Sequence, residues 1–341
     1  MGFRIDILVL LAIAGQILGL GSAARADSAD NVKGILAHRY DTLSKSQQYA
    51  VKGRDGWYFL TSELRSYSRG PFWGKAAAKA SAATADQDPL QAIVSFDAMV
   101  KKAGIRLLIV PVPGKVAVYG DQLDSSIPSG ERWDRDQQDF NAVLSNAGVE
   151  VLDLVPSFID LRKKGVSPYA RQDSHWSPEG MRLAAEKIAA WVKQQEWYGG
   201  MPKQAASMTP AVVHVRGDLA EMLHEDSVAK ETLKVLQVRL GGEFVPSDVK
   251  SPVVLMGDSH TLVYHGFDLL AEHAGLSDLL CADLGFPVDL VGVMGSGANG
   301  SRMNLARRRD NLAGKTCLIW VFAARELTES PSGWKQIPVI R

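Results

Sequence analysis

V-V-L-M-G-D-S-H, residues 253–260, is the stretch that decides how the chain is laid out. Four apolar residues suit a buried strand, and the glycine, acid and serine that follow put Ser259 on the turn at its C-terminal end. Ligands of open α/β sheets bind at that end of the strands. Ser259 is therefore a candidate nucleophile, provided that the chain also supplies a base and an acid. The best candidates for both stand upstream in R-Q-D-S-H-W-S-P, residues 171–178, where Asp173 and His175 flank a serine.

Outward from this strand the pattern repeats. I-R-L-L-I-V-P-V (105–112) and T-C-L-I-W-V-F (316–322) have the unbroken apolar character of strands covered on both faces. Val149–Val155 reads as another strand, Leu233–Val238 as a further one, and Leu279–Leu284 as a short one. Helices are expected over Asp88–Ala103, Arg135–Ala147, Asp218–Leu223 and Thr261–Ala274. Ser177 as N-cap with Pro178 at the first helical position starts another helix running to about Trp197, which holds His175 in a defined turn just before it. Residues 31–50 read as a polar helix or arm, 51–60 as a glycine turn followed by an aromatic strand, and 66–89 as a Gly/Ala/Ser-rich loop. Alternating strands and helices predict an α/β layered fold with a mostly parallel sheet. Residues 199–251 carry no assignable chemistry.

The chain has 341 residues, 46% of them hydrophobic, enough for a sizeable core. Lysine plus arginine equals aspartate plus glutamate at 38 each, so no field of one sign argues for nucleic acid or an anionic membrane surface. At the N-terminus, Arg4, an apolar run from Ile7 to Leu20 and Ala24-Arg25-Ala26 read as a secretory signal cleaved after Ala26. The run is short of the roughly 20 residues that span a bilayer, although an uncleaved anchor is the alternative. Export to a bacterial periplasm is the expectation, with residues 27–341 as a single domain. The two cysteines, Cys281 and Cys317, are open to pairing in an oxidising compartment or to burial as free thiols. No metal-ligand spacing is present, and no cofactor is expected.

An aspartate two residues before a histidine can reach its Nδ1 in a turn, fixing the tautomer and leaving Nε2 as a base. A lone D-x-H is common, and taken alone Asp173 and His175 read more readily as a capping acid and a surface histidine. The pair gains weight from Ser259, whose hydroxyl is a weak nucleophile until a base takes its proton. Asp258 reads as a turn or capping residue and His260 as a residue at the start of a helix.

G-D-S-H at 257–260 resembles the first sequence block of SGNH hydrolases, and G-A-N at 297–299 their Gly-x-Asn block. The acid and base, however, precede the serine here, in D-x-H spacing. That reversed order resembles the AlgX/AlgJ-like family of exported polysaccharide O-acetyltransferases. The resemblance rests also on G-R-D-G-W-Y-F near the start, V-P-V-P-G-K-V-A-V-Y, D-S-H-W-S-P-E-G with serine in place of the usual threonine, and W-V-F-A-A-R-E-L. It implies a three-layer SGNH hydrolase-like sandwich with a permuted motif order. It also implies Ser259 as nucleophile, His175 as base and Asp173 as orienter. An exopolysaccharide would be the acceptor, a membrane-bound O-acyltransferase the acetyl donor, and an inner-membrane secretion complex the setting. The backbone of Ser259, Asn299 and Gly297 would hold the oxyanion. Lys115 and Tyr119 would shape the pocket, unless the lysine is merely solvated. Trp176 would support the imidazole or stack on a sugar, and Arg325 would pair with Glu326 or meet an acyl or sugar oxygen. An esterase with the same triad and a non-catalytic polysaccharide-binding component are the alternatives.

Overall fold

In a computed structural model, which describes residues 28–266, 269–295 and 297–341, the polar arm is a helix over 28–45. The expected signal segment, 1–26, lies outside the described residues. A hairpin follows, β1 (Ala50–Lys52) against β2 (Tyr58–Leu60). β3 (Arg106–Val112) and β4 (Glu150–Val151) come next; β5 (Ala206–Val215), β6 (Glu231–Leu240) and β7 (Glu243–Phe244) make a separate antiparallel sheet. β8 (Val253–Gly257), β9 (Asp289–Gly292) and β10 (Cys317–Ala323) complete the strands among the described residues.

β3, β4, β8, β9 and β10 form one parallel sheet in the order β4-β3-β10-β8-β9. The last strand lies at its centre, between β3 and β8, and from it the strand order runs outward in both directions. Such a reversal opens a crevice at the strands' C-terminal ends. There the turns after β3, β8 and β10 meet.

Because side chains alternate along a strand, the apolar runs feed two cores. Leu108, Val110, Val253, Leu255, Ile319 and Val321 face one side, where the helices Pro178–Lys193 and Leu276–Leu284 pack with β6. Leu107, Ile109, Val254, Met256, Leu318, Trp320 and Phe322 face the other, covered by Pro89–Lys102, Arg135–Asn146 and Gly300–Arg308. The result is the expected helix, sheet, helix layering.

Three expectations fail locally. The stretch 279–284 is helical: Leu276, Leu279, Leu280 and Leu284 recur at helical spacing, Asp278 accepts from Gly275 N at 2.9 Å, and Gly285 ends the helix at φ 83°. The described residues of 261–274 form no α-helix, since Tyr264, Leu270 and His273 take positive φ after a single 3₁₀ turn at Ser259–Thr261. The strand expected to run to Val155 stops at Val151, and Val155 opens a helix to Lys163. Cys281 and Cys317 are separate buried thiols, each pushed up to about 12 by desolvation.

Candidate active site

The turn after β8 is shaped by Asp258. Its Oδ1 accepts from the backbone N–H of His260 at 2.9 Å and from His260 Nδ1 at 3.0 Å, while its Oδ2 accepts from Ala323 N at 2.7 Å. The capping role read from the sequence is therefore extended into a clamp between the Ser259 turn and the central strand. Burial would raise this carboxyl, but His260 and the Ala323 N–H hold it well below the usual carboxylate range. Gly257 permits the close approach, because a Cβ there would sit 2.1 Å from the Val321 carbonyl oxygen.

The segment Tyr169–Trp176 folds back on itself through a bridge between those two residues, and Ser177 caps the following helix by accepting from Gly180 N at 3.0 Å. Within it, Asp173 Oδ1 accepts from His175 N at 2.9 Å and from His175 Nδ1 at 2.7 Å. His175 Nε2 is 2.8 Å from Ser259 Oγ. The structure thus joins His175 to Ser259 across 84 positions of chain. Burial would raise Asp173, yet the charge and hydrogen bonds of His175 hold it down at about 2. Burial works against a charged His175, and Asp173 more than offsets this, so the imidazole titrates above its ordinary value. With Asp173 fixing Nδ1–H, Nε2 is left as the acceptor for the serine proton.

Asp218 is the residue that sequence reasoning missed. Its Oδ1 accepts from Ser174 N at 2.7 Å and its Oδ2 from Ser174 Oγ at 2.5 Å, while its own N–H donates to Asp173 Oδ2 at 3.1 Å. Gly217 lets this loop lie against the Gln172–Asp173 backbone, where a Cβ would come within 2.2 Å. The only signal was a helix start at Asp218. Asp173, His175 and Asp218 offer potential ligand atoms within 4.8 Å of one another. Every carboxylate oxygen among them already accepts a hydrogen bond, so the cluster reads as a hydrogen-bonded support for the base.

Several candidates change role. Lys115 is buried, with Nζ donating to the carbonyls of Asp173 at 2.5 Å, Tyr58 at 3.0 Å and Arg171 at 3.1 Å. It braces the acid's backbone and does not face a pocket, and burial brings it down to about 8. Tyr119 stacks on Trp57 at 3.8 Å and shares a hydrogen bond with Ser167 at 2.9 Å, again inside the core. Trp176 is 0% exposed and meets His260 edge-on at 5.4 Å, so it supports the rings and has no face for a sugar. His260 is buried, its ring centroid 4.8 Å from that of His175, and burial lowers its basicity despite Asp258.

Asn299, expected as an oxyanion donor, is turned to the C-terminal tail. Its amide donates to Gly333 O at 2.9 Å, and its carbonyl accepts from Arg302 at 2.9 Å and Lys335 N at 3.1 Å, so the side chain is spent on tying down the C-terminal tail. Asn299→Ala is accordingly expected to cost about 1–3 kcal/mol of stability, read as a lower Tm, with ester turnover within twofold of the parent. Gly297, at φ 54°, lies where a Cβ would be 3.0 Å from Glu326 Oε2, which brings its loop beside the end of β10.

Arg325 follows β10 with its guanidinium 3.8 Å from Glu63 and 4.0 Å from Glu326, both beyond hydrogen-bond reach. Among the described residues it makes no side-chain hydrogen bond. Its charge lowers the basicity of His175 and helps keep Asp258 ionised. Glu326 is pushed up to about 7 by burial. The backbone N–H of Ser259 likewise donates to no described group.

A parallel sheet that brings a serine, a histidine and an aspartate together at its C-terminal edge is a layout that SGNH hydrolase-like proteins share with other serine acyl-transfer folds. The chain belongs to the family described as SGNH hydrolase-like domain, acetyltransferase AlgX, which matches residues 50–324. It is 25% identical over 234 residues to a probable alginate O-acetylase AlgJ of Pseudomonas syringae pv. tomato, covering 65% of this chain and 56% of that protein. To the alginate biosynthesis protein AlgX of Pseudomonas putida it is 23% identical over 253 residues, 70% of this chain and 51% of the relative. The chain thus spans little more than half the length of these relatives. The solved O-acetyltransferase domain of Pseudomonas putida AlgJ superposes with a TM-score of 0.62 at 22% identity, over 82% of this chain and 91% of that one. Pseudomonas aeruginosa AlgX gives 0.59 at 18% identity, over 80% and 61%. Both likenesses bear on the fold.

Proposed function

We propose that the protein is an O-acetyltransferase that moves acetyl groups through an acetyl-Ser259 intermediate to an exported polysaccharide, alginate-like or another exopolysaccharide. The observation that carries the reading is the unbroken relay from buried Asp173 through His175 to Ser259, at 2.7 and 2.8 Å. Ser259 Oγ attacks the acetyl carbonyl as its proton passes to His175 Nε2. The donor's C–O bond then breaks and the departing oxygen takes that proton. In the second half His175 removes the proton of a sugar hydroxyl, whose oxygen attacks the acyl carbonyl, and Ser259 leaves reprotonated. The unspent N–H of Ser259 and the Arg325 guanidinium are the donors for the oxyanion that develops in both halves.

The reading carries with it export through residues 1–26, a catalytic unit over 27–341, and a membrane-bound O-acyltransferase as donor. The composition of the N-terminal segment supports the export, and the names of the relatives, an alginate O-acetylase and an alginate biosynthesis protein, support a polysaccharide acceptor. Among the described residues no helix is long and apolar enough to cross a membrane.

Incubating the purified protein with a chromogenic acetyl ester, with and without acceptor oligosaccharide, tests it. Acetylated oligosaccharide that depends on Ser259 is expected. Hydrolysis indifferent to any acceptor would make the protein an esterase instead. Since the neutral imidazole is the base and Asp173 raises its pKa, kcat/KM for the ester should rise with pH, with a midpoint above the ordinary value of about 6.5. A profile that is flat from pH 5 to about 9 would rule out His175 as the base.

A further inference from the structure

A groove of about 550 Å³ opens between elements that also carry the candidate site. Met222, on one wall, ends the short helix whose first residue, Asp218, holds Asp173 and Ser174. Ser62, on a second, precedes Glu63, which lies 3.8 Å from Arg325. Glu329, on a third, donates its N–H to the Arg325 carbonyl at 2.8 Å. The groove's walls therefore stand on elements that also frame the triad. Tyr49 is 74% exposed and Met222 44%, large apolar surfaces of the kind that mark ligand grooves when they stand together.

Tyr40 and Leu60 add to the apolar lining, and its neutral polar groups are the Gln47 and Gln48 amides with serine and threonine hydroxyls. Among the described residues no lysine or arginine lines it, and its one carboxylate, Glu329, is already paired with Arg65 at 2.5 Å. Arg325 stands between Glu63 and Glu326. A polyuronate laid here would give up hydration of its carboxylates with no cation to replace it. A neutral sugar would set its C–H face on the tyrosine ring and its hydroxyls on the amides, with no charge to desolvate.

We infer that this groove binds a neutral pyranose chain and presents it to Ser259 as the acetyl acceptor, an assignment that rests on the acyl-transfer reading above. The full chain carrying Ser259→Ala is titrated calorimetrically, at low salt, with β-1,4-linked hexamers of mannose, of glucose and of mannuronate; the first and last differ only in oxidation at C6. At least one neutral hexamer is expected to bind about tenfold more tightly than the mannuronate, and Tyr49→Ala to weaken that binding about tenfold at an unchanged Tm. Met222→Gln, on another wall, is expected to weaken it as well and serves if Tyr49→Ala folds poorly. Mannuronate binding as tight as the neutral chains, no binding by any hexamer, or binding indifferent to both substitutions overturns the inference. The variant lacks the nucleophile, so this result is independent of ester cleavage, whose failure would sink the acyl-transfer reading alone.

Discussion

Ser259→Ala is expected to lower acetyl-ester turnover by roughly 10⁴- to 10⁶-fold and to abolish the mass gain of one acetyl group on the protein after a brief incubation with donor. The expectation is that large because the serine oxygen forms the covalent bond itself, and among the described residues no other hydroxyl is bonded to His175 Nε2. Thr261 Oγ1 lies in the same turn but donates to Asp258 O at 2.7 Å and is buried. What survives would come from the oxyanion donors acting on water. Parent-like turnover in Ser259→Ala would remove the nucleophile from the proposal, and an acetyl group found on another residue would replace it.

Asp173→Asn is expected to lower kcat by about 10⁴-fold while the fold is kept. An amide can place its NH₂ on His175 Nδ1, which pins the proton on Nε2 and takes away the lone pair that Ser259 needs. It also removes the charge that raises the imidazole, so the residual pH midpoint should move down from the parent's. The carboxyl, held at about 2 in the native state, is ordinarily nearer 3.9 when unfolded. Its ionised form therefore stabilises the protein above about pH 4, and this contribution is lost as pH falls through 2. Acid unfolding of Asp173→Asn should lack that component. Activity within tenfold of the parent would mean that the aspartate does not select the tautomer.

The residues that were legible early share a local signature. β3, β8 and β10 announce themselves because a strand covered on both faces must be apolar at every position. Ser177-Pro178 announces a helix start because its hydrogen bonds are made within four residues. Asp173 and His175 were readable for the same reason, since a D-x-H turn closes on itself. Yet Asp258 and His260 have that spacing too, and nothing local tells the two dyads apart. Packing does so: His260 lies buried against Trp176, whereas His175 presents Nε2 to Ser259 at 2.8 Å.

Misreadings arose where a short pattern had two physical uses. Leu279–Leu284 was too short for its apolar content to separate strand from helix, and the Asp278 cap settled the matter. Gly297-Ala298-Asn299 fits a donor loop, but the asparagine found its partners in a C-terminal tail more than thirty residues away. Lys115 sat just past a strand end, where a ligand contact and a brace for Asp173 look identical in sequence.

By itself, then, the sequence determined the alternating elements and offered Ser259, His175 and Asp173 as candidates, because strands, caps and turns follow from residues close together in the chain; the meaning of their reversed order came from the family resemblance. Only the tertiary structure decided that β10 is central, that Asp218 and Lys115 both bond to Asp173, that Asn299 bonds to the C-terminal tail, and that a groove shares its elements with the framework of the site. The contacts among these join groups far apart in the chain at hydrogen-bond distance, where hydrogen bonds and desolvation act. Local sequence carries no record of such distances.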